Sequence, residues 1–128
     1  MVCEELEFLM EKAKNVIYSP KKRRYAVIID KDDGLLDEIR KKFGARVSGY
    51  KEAFRGRNYL VYIDGSECDL IERLVELGVS NITVATKKRK IAVTVPSEEI
   101  IEKLKEEFNV ISVKEALKGV NWSVSIAL

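Results

Sequence analysis

Apolar residues recur along this chain first at helical spacing, then at strand spacing, in an order that runs through twice. Leu6, Leu9, Met10 and Ala13 fall on one face of a helix. Alternating stretches at Val16–Ser19 and Tyr25–Asp30 predict two strands. The segment Pro20-Lys21-Lys22-Arg23-Arg24 between them reads as a turn, because it joins a proline to a run of charge. A second helix starts at Asp32 or Asp33, whose carboxylates can cap free N–H groups. It buries Leu35, Leu36, Ile39 and Phe43 and stops at Gly44, which tolerates a left-handed backbone. Strands near Ala45–Ser48 and Tyr59–Asp64 close the first half.

The second half repeats this order. Ser66 with Asp69 has the form of a capping box. Ile71, Leu74 and Leu77 line a helix that Gly78 ends. Ile82–Ala85 and Ile91–Val95 read as strands. Ser97 caps the last helix, with Ile100, Ile101, Leu104 and Phe108 inward, Asn109 stands where Gly44 stood, and Asn121–Leu128 closes the chain. Lys51–Arg55 and Lys114–Lys118 read either as strand ends or as a helical turn, and Lys-Glu-Ala-Leu-Lys-Gly favours the turn.

The repetition extends to residues. Asn15 to Val27 returns 66 positions later as Asn81 to Val93, and Lys51 to Tyr59 returns 63 positions later as Lys114 to Trp122. A self-similar chain of this length predicts one domain, 1–128, built from two tandem units, 1–64 and 65–128. The expected fold is a two-layer α+β domain of duplicated αββαββ units, its sheet mixed but largely antiparallel and covered by helices on one face. That element order is also the order of the homing-endonuclease core, though no helix here carries the LAGLIDADG signature. A ferredoxin-like unit can be cut from Tyr25 to Ala85. Both are analogies of order and transfer no function. If helix connections make parallel crossovers and hairpins reverse the chain, the Pro20–Arg24 and Thr86–Lys90 turns share one end of the sheet.

Differences between the two copies are equally informative. One strand face keeps its apolar residues: Tyr25, Val27 and Ile29 match Ile91, Val93 and Val95, and Tyr59 matches Trp122. The other face diverges, with Ile17, Ile28, Leu60 and Tyr62 replaced by Thr83, Thr94, Ser123 and Ser125. An apolar outer face on the first unit predicts an interface, with a homodimer favoured over the two halves folding across one another.

Composition narrows the function classes. The chain has no His, which removes the commonest general base, and it has neither a Walker loop nor a GxGxxG segment. An enzyme is therefore disfavoured, with no catalytic residue, metal or cofactor assigned. The carboxylates Asp30, Asp32 and Asp33, and likewise Asp64, Glu67 and Asp69, read as helix-start charges in preference to a Mg²⁺ site. Cys3 and Cys68 open the first helix of each half. They read as two small thiols in preference to a disulfide across the halves. The absence of a membrane-span-length apolar run and of a leader-like start predicts an intracellular, cytoplasmic protein without membrane association. The many Lys, Glu, Ile and Val residues suggest a heat-adapted source.

Net charge is only +2, so polyanion binding requires local concentration of charge. Lys21, Lys22, Arg23 and Arg24 with Lys87, Lys88, Arg89 and Lys90 provide it, four cations on each of two equivalent turns. The reading is a binding protein that takes RNA or DNA with little sequence selectivity through these turns. The alternative is homo-oligomeric assembly, or a small-ligand regulatory module, using Ile17, Ile28, Leu60 and Tyr62.

Overall fold

A computed structural model describes residues 2–117 and 119–128. Its elements are α1 (Glu4–Lys12), β1 (Asn15–Ser19), β2 (Arg24–Asp30), α2 (Asp33–Phe43), β3 (Val47–Ala53), β4 (Asn58–Asp64), α3 (Asp69–Glu76), β5 (Asn81–Ala85), β6 (Lys90–Val95), α4 (Glu98–Glu107), β7 (Val110–Leu117) and β8 (Asn121–Ala127). The strands form one eight-stranded sheet in the order β3-β4-β2-β1-β5-β6-β8-β7. Helix-facing side chains such as Val16, Tyr25, Val27, Val61, Ile82, Val93 and Val124 alternate with outward ones. They pack with Leu6, Leu9, Leu36, Ile39, Ile71, Leu74, Ile101 and Leu104 into a single core. This is the two-layer α+β architecture.

Three expectations change. The sheet is not mixed: every pairing is antiparallel. The α2 crossover does make β2 and β3 run in parallel, but β4 lies between them. The ferredoxin-like unit does not close either, because β1 is inserted between β2 and β5. The segments after Lys51 and Lys114 are strand, not helical turn. β3 runs to Ala53 before Phe54, Arg55 and Gly56 turn with positive φ, and β7 runs to Leu117. Lys118, the last residue of that segment, lies outside the described residues. Each partner strand holds these segments in the ladder, and that overrides the local helix preference.

The helix starts also differ in detail. Asp32 caps α2 by accepting from the Leu35 amide. Ser66 is not the cap of α3; that place belongs to Cys68, whose amide donates to the Ser66 hydroxyl. Asn109 is not among the left-handed residues, because α4 ends in an extended Phe108. At Gly44, by contrast, φ is +57°.

The sheet order reads the same from both edges when each strand is exchanged for its sequence counterpart. At the centre, Ile17 pairs with Thr83 between antiparallel β1 and β5. Those two are sequence counterparts, so a pseudo-twofold axis passes between them, perpendicular to the sheet. Such an axis keeps all helices on one face and reverses strand direction. The β1–β2 and β5–β6 turns therefore stand at opposite ends of the sheet, not at one end as expected. The connection through α3 returns the chain antiparallel, which the parallel-crossover assumption did not allow.

The same axis brings the N-termini of α1 and α3 together. Cys3 and Cys68 are joined there in a disulfide, correcting the reading of two free thiols. Beside it, Glu5 is 7% exposed and accepts hydrogen bonds from the Tyr25 hydroxyl at 2.6 Å, Arg46 Nη1 at 2.8 Å, the Ser66 hydroxyl at 3.2 Å and the Glu67 amide at 3.2 Å. Arg46 also donates to the Asp64 and Gly65 carbonyls. Burial alone would raise the Glu5 pKa. Its hydrogen bonds from Arg46 and Tyr25 outweigh that and hold it below the ordinary carboxylate value.

Glu5→Gln is expected to cost about 2–3 kcal/mol at pH 7, since Arg46 keeps part of its surface in water. A carboxylate with a depressed native pKa stabilises the fold above its unfolded pKa and loses that effect as pH falls through the native value. Urea titrations should therefore show the gap between wild type and Glu5→Gln closing as pH falls below the ordinary glutamate range. A gap unchanged by acid would mean that the Glu5 charge contributes nothing.

Candidate functional site

Among the described residues, nothing covers the face of the sheet away from the helices. Its middle row runs from edge to edge as Gly49, Tyr62, Ala26, Ile17, Thr83, Ala92, Ser125 and Ser112, paired strand to strand. Ile17, Ile28, Leu60 and Tyr62 lie together on this face and are each partly exposed. The two halves stand side by side, so neither folds over to bury this patch.

Cations surround the row. Arg24 stands next to Tyr62, its guanidinium 4.2 Å from the ring centroid. Lys51 pairs with Leu60, Lys114 with Ser123, and Lys90 with Ala85 and Ala127, so period two puts all three on the open face. Two shallow depressions lie at opposite ends of the central strands. Ile17, Ser19, Lys22, Arg24, Ala26 and Tyr62 line one; Lys14, Ala85, Thr86, Lys87, Lys88 and Lys90 line the other. They are near-counterparts under the pseudo-twofold axis. β1 has five residues, so the turns that feed them are separated by about 15–20 Å along the strands.

The two αL arginines behave differently from their neighbours. Arg23 and Arg89 have φ of 52° and 50°. Both arginine side chains turn toward the helix layer: Arg89 pairs with Glu7 of α1 at 2.6 Å, and Arg23 lines a groove against α3. Among the described residues, Lys21, Lys22, Arg23, Arg24, Lys87, Lys88 and Lys90 have no ion pair. Of the eight turn cations proposed from sequence, Arg89 alone is ion-paired among the described residues, and Arg24 stacks on Tyr62.

Charge divides between the layers. The four helices hold 15 acidic and seven basic residues, a net −8, while the rest of the chain holds six acidic and 16 basic, a net +10. The near-neutral total therefore conceals acidic helices and basic strands, turns and connections, although Arg23, Arg46 and Arg89 among those basic residues face the helix layer. Acidic residues on the open face are few, and Asp30 is paired with Lys14 at 2.9 Å.

Two of the clustered carboxylates have local tasks. Asp32 caps α2, and Asp33 accepts the Tyr59 hydroxyl at 2.6 Å. That bond pushes the Tyr59 pKa up to about 12. Among the described residues no group of three or more His, Cys, Asp or Glu gathers to hold a metal. No helix there is long and apolar enough to cross a membrane.

The sequence reading missed Lys51 and Lys114 as parts of this surface, although they are counterparts in the repeat. Reading their segments as helical turns hid the face to which they belong. Comparison of the chain with protein-family models, with curated proteins and with solved structures finds no match.

Proposed function

We propose that the protein binds nucleic acid across the open face of its sheet, with little sequence selectivity. The observation that carries this is the division of charge, −8 on the helices and +10 elsewhere. An open face bordered by lysines and arginines can neutralise phosphates, while Thr83, Ala92, Ser125 and Ser112 in its middle row let a ligand approach closely. Tyr62 with Arg24 offers a surface on which a base can stack. The two basic turns take part from opposite ends of one face, in place of the single cluster expected from sequence. The reading includes an intracellular setting and a heat-adapted source, the setting in which an intracellular disulfide persists.

The test is fluorescence anisotropy with labelled single-stranded RNA, single-stranded DNA and duplexes. Six or more phosphate contacts would lower affinity by about 10³-fold or more between 50 and 200 mM salt. No binding of any of these at low salt would remove the proposal.

A second reading rests on Ile17, Ile28, Leu60 and Tyr62 being partly exposed side by side. Eight strands about 4.8 Å apart, each about 20 Å long, give a face of roughly 750 Å², close to the roughly 800 Å² per partner that a stable dimer buries. A second copy on this face would cover the patch, although the like charges at its border oppose the pairing. Light scattering decides between them. A dimer that Leu60→Ser with Tyr62→Ser converts to monomer supports assembly. A monomer at every concentration removes it.

A further inference from the structure

The pseudo-twofold relation provides an internal control for a groove outside the open face. Each basic turn docks on the chain that leaves a neighbouring strand. The Gly65 amide donates to the Arg23 carbonyl at 2.7 Å, and the Leu128 amide donates to the Arg89 carbonyl at 3.1 Å. Each αL arginine then meets a helix carrying a glutamate at the matching place, Glu7 on α1 and Glu72 on α3. In one copy the clasp is closed: Arg89 holds Glu7 with two hydrogen bonds, at 2.6 and 3.2 Å. In the other, Arg23 and Glu72 have no ion pair among the described residues, and a groove of about 460 Å³ lies between the turn and α3.

Tyr18, Arg23, Gly65, Ser66, Glu72 and Glu76 contribute to its lining. Tyr18 is 5% exposed, and its hydroxyl has no hydrogen-bond partner among the described residues. Burial pushes its pKa up, so it remains a neutral donor at ordinary pH. Arg73 is shared between Glu76 at 3.1 Å and Glu107 at 2.7 Å, which leaves Arg23 and Glu72 as the lining charges without an ion pair among the described residues.

We infer that this groove binds a small zwitterion of the amino-acid class, its carboxylate on Arg23 and its ammonium on Glu72, with the Tyr18 hydroxyl as a further donor. The ligand takes the place of the clasp that the other copy closes by itself. The volume is in the range of small-molecule sites, and convergent polar groups at the rim of an apolar wall (here Val75) fix orientation. This inference stands apart from nucleic-acid binding and survives its failure.

The experiment is an amide-detected NMR titration of the full chain with individual L-amino acids: alanine, lysine, glutamate and phenylalanine, each to about 10 mM. At least one should shift the Arg23, Gly65 and Ser66 amides saturably. Its N-acetylated and decarboxylated counterparts, each lacking one charge, should bind about tenfold or more weakly. Arg23→Gln and Glu72→Gln should each give a similar loss, while Lys41→Gln on α2 should not. Both substituted side chains are exposed, and unchanged amide positions in the core would show that the variants are folded. The inference is overturned if none of the four amino acids shifts those amides saturably, or if the single-charge counterparts bind equally well.

Discussion

Reducing the Cys3–Cys68 bond is expected to lower stability by roughly 4 kcal/mol, because the bond closes a long loop, the two cysteines standing 65 positions apart. At this chain length that corresponds to roughly 15 °C in Tm. The bond links the starts of α1 and α3 across the β1–β5 seam, so it constrains the two halves relative to one another in the unfolded chain. Calorimetry of wild type with and without reductant should give this shift, and Cys3→Ala with Cys68→Ala should match reduced wild type and be insensitive to reductant. Equal Tm for all four samples would mean that the core, with Cys68 fully buried in it, holds the halves without the bond. Serine is the poorer substitute here, because it would place a hydroxyl among apolar neighbours.

The core was legible because its signal is periodic and both copies repeat it. Val16, Val27 and Val61, with their counterparts Ile82, Val93 and Val124, could be placed from alternation alone, and all are buried. Element order followed from turns and caps such as Asp32 and Gly44. Strand neighbours did not follow, because nothing local states that β4 lies between β2 and β3, or β1 between β2 and β5. That one gap changed the site. With α3 taken as a parallel crossover, the basic turns fall at one end of the sheet; with the observed antiparallel seam, they fall at opposite ends of one face. The disulfide was hidden for the same reason, since Cys3 and Cys68 meet only through the axis between Ile17 and Thr83. The charge division was written in the sequence but becomes visible only when acidic residues are assigned to helices and basic ones to strands and turns. The Glu5 network has no counterpart in the second half, where Ile91 stands in the place of Tyr25, so the repeat gave no reason to look for it.

Reversing charge at one turn should separate binding by the whole face from binding by one hairpin. Lys21→Glu with Lys22→Glu alters the β1–β2 turn, and Lys87→Glu with Lys88→Glu alters the β5–β6 turn. All four side chains are exposed and free of ion pairs among the described residues, so the fold should be unaffected. If a nucleic acid lies across the face, each pair removes contacts from the same complex. Each should then weaken binding about 10–100-fold at moderate salt and reduce the salt slope by about 2, and the combined variant should lose roughly the product. Lys103→Glu with Lys105→Glu, on the acidic helix side, should change affinity only through net charge and leave the slope unaltered. If one turn carries the entire loss and the other none, the ligand is held at a single hairpin and the open face is not its platform. Equal losses from the helix-side pair would show that the protein responds only to total charge. The division between its two layers would then have no part in binding.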